Sequence, residues 1–168
     1  MPMIPSAVCR RCIQERLLPG CVGHSDKKVI FVPVMKSVEK FTVEIRSGFD
    51  QWWRYNAALM CGAFDASGNR IGFASAESRV AEMGSNLEAP PEGLDLHRSL
   101  TLETVPCERI VLYIYVIPHT LPRDNEIGGH PPFPLQVRIR YGDRTVLDKE
   151  YSINQWGGAS IELKVSRP

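Results

Sequence analysis

The feature that most constrains this chain is a hydrophobic period of two. In residues 40–46 (KFTVEIR), Phe41, Val43 and Ile45 fall on one side and Thr42, Glu44 and Arg46 on the other. Successive side chains of an extended strand point to opposite faces, so this pattern describes a half-buried β-strand. Residues 135–141 (LQVRIRY) and 161–165 (IELKV) alternate in the same way. Residues 110–117 (IVLYIYVI) are apolar throughout and rich in β-branched side chains. They read as a central strand buried on both faces. Residues 29–34 (VIFVPV) are a further strand candidate, with Pro33 confining it to an edge or a strand end.

Turn chemistry separates these strands. Asp65-Ala66-Ser67-Gly68-Asn69 joins residues 57–64 to 70–74 as a hairpin, and Gly142-Asp143 tips a second one. In that second hairpin a two-residue loop pairs Ile139 with Val146 and a three-residue loop pairs it with Leu147; the sequence leaves both open. Residues 77–84 (ESRVAEMG) are the one stretch compatible with two helical turns. Residues 118–134 hold five prolines and read as a long loop. With 13 Gly and 13 Pro in 168 residues, many turns are favoured over long helices. The expected architecture is all-β, an antiparallel β-sandwich of about eight strands over residues 28–168.

Residues 1–27 form a separate appendage. Cys9 and Cys12 make a C-x2-C pair, Cys21 and His24 make a C-x2-H pair, and eight residues lie between them. Zinc takes four thiolate or imidazole ligands in a tetrahedron, and two short-spaced pairs joined by a turn at Pro19-Gly20 supply that set. So short a segment buries no core of its own, and the metal would contribute its folding energy. A redox C-x-x-C normally follows a strand and opens a helix, and nothing before Cys9 reads as a strand. An unliganded arm is the remaining alternative. Pro2 and Pro5 with Arg10 and Arg11 interrupt any secretory h-region, so the expected location is cytoplasmic, where clustered cysteines favour metal over disulfides. Cys61 and Cys107 lie in or beside strand patterns and read as small buried hydrophobes.

Charge excludes other classes. Lys+Arg is 20 against 19 Asp+Glu, a net charge of +1, so no basic excess points to dedicated nucleic-acid binding. The longest apolar run, residues 110–117, is far short of the roughly 20 residues of a spanning helix, so no membrane insertion is expected. There is no G-x-S-x-G, no H-E-x-x-H and no phosphate-cradling glycine loop, and His97, His119 and His130 read as solvated loop residues. Asp65, Ser67 and Asn69 alternate as in an EF-hand, but Arg70 and Ala76 stand where its Gly and Glu belong. Trp52, Trp53 and Tyr55 form an aromatic cluster. Exposed, it stacks on a sugar or a small ligand; buried, it is core at a strand entry.

Across residues 40–165 a series of blocks resembles, in order, a divergent domain of the tellurium-resistance TerD family. They are FTVEIRSGFD (41–50), YNAALMCGAFDASGNRI (55–71), MGSN (83–86), SLTLETVPCERIVLYIYVIPH (99–119), LQVRIRYGDRTVLDKEYSI (135–153) and the last strand, with Trp156 before it. The resemblance implies a calcium-binding β-sandwich of stress-response and defence operons; it does not imply a catalytic site, and a protein partner is expected whose identity the sequence does not give. The departures fall on the metal chemistry. The family's strand-entry carboxylates appear as Arg54 and Asn56, and the Asp of its Gly-Asp-Asn is Ser85. Calcium prefers several oxygens with net negative charge, and Arg54 opposes that. Calcium binding is therefore expected to be lost or weakened, with Asn56, Asn86 and Asp95 as the residual oxygen donors. The expected function is a non-enzymatic interaction module of a bacterial stress or defence system. The alternative is a carbohydrate- or small-ligand-binding sandwich using Trp52, Trp53 and Tyr55.

Overall fold

The computed structural model describes residues 37–94, 98–124 and 126–168. Cys9, Cys12, Cys21, His24, Asp95 and the strand candidate at 29–34 lie outside the described residues. Within them are eight strands: β1 (Phe41–Arg46), β2 (Tyr55–Phe64), β3 (Arg70–Ser78), β4 (Ser99–Glu103), β5 (Arg109–Pro118), β6 (Phe133–Tyr141), β7 (Arg144–Ile153) and β8 (Ala159–Ser166). They pair antiparallel in two four-stranded sheets, ordered β4-β1-β6-β7 and β3-β2-β5-β8. The architecture is an all-β sandwich.

The alternation decides which faces meet. β1 turns Phe41, Val43 and Ile45 inward, and β6 turns Phe133, Leu135, Val137, Ile139 and Tyr141 inward against them. From the second sheet, Ala57, Leu59, Cys61 and Ala63 of β2 and Ile110, Leu112, Ile114 and Val116 of β5 complete the core. Removing this much apolar surface from water, at roughly 25 cal/mol per Å², is the main term holding the sheets together. Cys61 and Cys107 are both buried and unpaired.

Two local expectations need correction. β5 is central, between β2 and β8, but only one of its faces is buried: Tyr113 and Ile117 remain 38% and 39% exposed. From Val111 to Ile117 its outward residues are apolar, no described element packs over them, and they lie beside strand neighbours such as Met60 and Glu162. Residues 77–84 form no helix. β3 runs on through Ser78 because Glu77 and Ser78 continue the ladder with Ala58 and Ala57 of β2. Two turns of weak helix do not compete with a strand edge already in register.

The Gly142-Asp143 hairpin resolves the open register. Tyr141 pairs with Arg144 across a two-residue loop, and a bulge between Ile139 and Arg140, with Val146 as the extra residue, then brings Ile139 opposite Leu147. The extra residue of a bulge thus yields the Leu147 pairing from the shorter loop. Gly142 has φ +53, the left-handed conformation that such a turn requires.

Candidate functional site

The site that emerges lies where the chain enters β2 and leaves β5. Gln51 precedes a 3-10 turn (Trp52–Arg54) that delivers Tyr55 into the sheet. Tyr55 pairs with Pro118 at the end of β5. The Arg54 carbonyl then accepts the His119 N–H at 2.9 Å, so turn and strand exit are tied together. The 79–87 segment joins the same end. Leu87 N–H donates to the Thr120 hydroxyl at 3.0 Å, and Asn86 N–H reaches the His119 carbonyl at 3.5 Å.

Arg54 is the chemical centre of this end. It is 4% exposed. Its Nε donates to the Thr120 carbonyl at 3.0 Å, and its Nη1 donates to the Gln51 amide oxygen at 2.6 Å and the Gln155 amide oxygen at 3.3 Å. Its Nη2 is buried with no hydrogen-bond partner, and among the described residues no carboxylate pairs with this guanidinium. A buried charge is normally paired, because leaving its donors unmade costs the full desolvation of the group. Burial pushes the Arg54 pKa down, partly countered by Tyr55 beside it. Burial also raises the Tyr55 phenol to about 12, against the opposing pull of Arg54, and its hydroxyl donates to the Gln155 carbonyl at 3.0 Å.

A cleft of about 360 Å³ opens over this cation. Trp53, Leu87, Leu121 and Pro122 give it apolar walls, while Gln51, Arg54 and Thr120 contribute polar groups. Arg123, Glu88, Asp124 and His130 also line it. Arg123 donates to the Glu88 carbonyl at 3.3 Å, and His130 Nε2 contacts Asp124 at 2.9 Å. The volume sits at the lower end of small-molecule pockets, and the mixture of apolar wall and few polar anchors is typical of them.

The residues singled out in the sequence divide sharply. Trp52 and Tyr55 are 5% and 1% exposed, with their rings against Phe133. They offer no face to a sugar; of the three aromatics, Trp53 is the half-buried one, and it lines the cleft. Asn56 is committed to a turn: its amide oxygen accepts the Val80 and Ala81 N–H groups at 2.7 and 3.3 Å, and its amide nitrogen donates to the Ala81 carbonyl at 2.8 Å. Asn86 is exposed, with φ +46. Among the described residues, no group of three or more His, Cys, Asp or Glu side chains is placed to hold a metal ion.

His119 is not a solvated loop residue. It is 1% exposed, and its Nε2 meets the Trp53 carbonyl at 2.8 Å while Nδ1 meets the Thr120 hydroxyl at 2.9 Å. A carbonyl only accepts, so Nε2 is the donor toward Trp53; in the neutral ring Nδ1 then accepts from the Thr120 hydroxyl. No local pattern signals this: Thr120 is the next residue, but the Trp53 carbonyl that closes the other side lies 66 residues away. Gln155, 4% exposed, carries no local signal either; it reaches Arg54 across 101 residues of chain.

Comparison with known proteins adds likeness but no role. No family model matches the chain. No curated protein matches it. Among solved structures it is similar to a domain of unknown function, DUF4425, from Bacteroides vulgatus ATCC 8482. That likeness has 13% identity and a TM-score of 0.44, covering 77% of this chain and 97% of the other. It is also similar to a DUF4425 family protein from Bacteroides ovatus ATCC 8483, at 12% identity and a TM-score of 0.34, over 78% and 95% of the two chains.

Proposed function

We propose that this protein is a non-enzymatic binding module of a bacterial stress-response or defence system, a divergent TerD-like sandwich with lost or weakened calcium binding. The observation that carries this reading is Arg54. At the strand entry where the resemblance places a carboxylate stands a buried guanidinium, held by Thr120, Gln51 and Gln155. A fixed positive charge there repels a divalent cation, and Asn56, the second substituted position, spends its oxygen on two backbone N–H groups. The binding end is then the cleft above Arg54, facing a protein or small-molecule partner. The N-terminal Cys9, Cys12, Cys21 and His24 are read as a zinc knuckle attached to this module.

Two measurements on the full chain test the reading. Millimolar calcium is expected to leave the melting temperature where chelator leaves it. A rise of several degrees would contradict lost calcium binding, because a ligand selective for the folded state must stabilise it. Native mass spectrometry of metal-replete protein is expected to show one zinc, lost in the Cys9→Ser and Cys21→Ser variants. No zinc on the native sequence, or the same metal content in all three proteins, would remove the knuckle.

A further inference from the structure

We infer that the cleft over Arg54 is a binding site for a small organic carboxylate with an apolar body. This rests on reading the domain as a binding module. The guanidinium is a five-donor fork whose geometry matches a carboxylate. Here the fork is incompletely used: Nε and Nη1 are engaged, and Nη2 is buried and unpartnered. The partner that stands between Nη1 and solvent is Gln51, an exposed side chain offering a neutral amide oxygen. A carboxylate entering the cleft replaces that oxygen with a charged one on Nη1 and sets its second oxygen on Nη2, while Gln51 swings outward. One ligand group thereby neutralises the buried charge and satisfies the orphan donor.

The rest of the cleft selects among anions. Its lining carries Glu88 and Asp124 beside Arg123, so the two carboxylates offset the two guanidinium charges and leave no positive excess to favour a doubly charged phosphate over a single carboxylate. Trp53, Leu87, Leu121 and Pro122 offer apolar wall that a bare inorganic ion does not use. At about 360 Å³ the space suits a small acid rather than a long chain. Arg54 is the anchor in this account, and Trp53 and Leu121 are the walls.

The test is a titration of the isotope-labelled full chain by amide NMR with benzoate, its neutral isostere benzamide, and inorganic phosphate. Benzoate is expected to give saturable shifts at Arg54, Thr120 and Leu121. Benzamide and phosphate are expected to bind roughly tenfold more weakly or worse, the loss that follows from removing one charge-assisted hydrogen-bonded contact. Arg54→Met is expected to weaken benzoate by a similar factor. Should that variant not fold, Leu121→Glu serves instead: Leu121 is 47% exposed, so the substitution leaves the core alone while setting a negative charge at the cleft. Equal binding of benzoate and benzamide, tighter binding of phosphate, or benzoate affinity unchanged in Leu121→Glu would each overturn the inference. So would the absence of shifts with benzoate, a result that leaves the calcium and zinc measurements of the module reading to stand or fall separately.

Discussion

Raising the pH from 8 to 10 will destabilise this protein, and Cys61 will carry most of the loss that can be assigned to one residue. The Cys61 thiol is fully buried between the sheets, and burial, with a smaller contribution from the nearby Cys107, raises its pKa from 9.0 to about 12. The Tyr55 phenol is raised from 10.0 to about 12 by its burial. A group that the fold keeps protonated contributes its full stability below the unfolded pKa and loses it as the pH climbs toward the folded one. For Cys61 that window runs from 9.0 to about 12, and for Tyr55 from 10.0 to about 12. At pH 10 the unfolded thiol is about nine-tenths ionised while the folded one is not, a cost on the order of 1 kcal/mol, and Tyr55 adds a fraction of that. Burial raises the Cys107 thiol as well and acts in the same direction. The total, on the order of 2 kcal/mol, corresponds to a fall of roughly 5–10 °C in melting temperature for a domain of this size. The assay is urea denaturation at pH 8, 9 and 10 under reducing conditions, for the native sequence and for Cys61→Ala. The variant starts from a different stability, but its decline with pH is expected to be shallower by about 1 kcal/mol. Parallel declines in the two proteins would refute the argument, since the thiol would then titrate alike folded and unfolded.

Four further substitutions probe the frame around the cleft, each by urea denaturation. Gly158 has φ +64, and an added Cβ would lie 1.9 Å from the Val116 carbonyl oxygen, so Gly158→Ala is expected to cost at least about 2 kcal/mol; no loss would mean the turn rebuilds freely. Trp52→Ala is expected to cost about 3–5 kcal/mol as a buried aromatic, while Trp53→Ala, on the cleft wall, costs well under half of that; equal costs would contradict the division of the aromatic cluster into core and wall. Asn56→Ala strands the Val80 and Ala81 N–H groups and is expected to lose about 1–2 kcal/mol in the absence of any metal; a loss seen only with calcium present would assign Asn56 to a metal site instead.

The sheet frame was legible because it is written locally. The two-residue period in 40–46, 135–141 and 161–165 reports which face is buried, and the Asp65–Asn69 and Gly142-Asp143 turns report where strands reverse. Cys61 and Cys107 followed from the same patterning. What local pattern cannot carry is the effect of neighbours distant in sequence. Residues 77–84 have some helical spacing, yet the β2 edge extends β3 through Ser78. The apolar run at 110–117 shows that β5 is central but not how much its outer face is covered. At the site the gap is wider. Arg54 stood out as a charge hostile to calcium, but its burial depends on Thr120 and Gln155, which lie 66 and 101 residues away. His119 follows a strand and precedes a proline-rich loop, the setting of a solvated residue, and is buried only because the Trp53 carbonyl and Thr120 close around it. The orphan Nη2 exists in no one-dimensional pattern; it appears when a five-donor side chain is counted against its partners.

If the cation at the strand entry takes a carboxylate, a crystal structure of the full chain with benzoate will show it. The two carboxylate oxygens are expected on Nη1 and Nη2 of Arg54, the ring against Trp53 and Leu121, and the Gln51 side chain turned away from Nη1. Benzoate absent from the cleft, with Gln51 still bonded to Nη1, or a calcium ion bound at the strand entry beside Asn56, would contradict it.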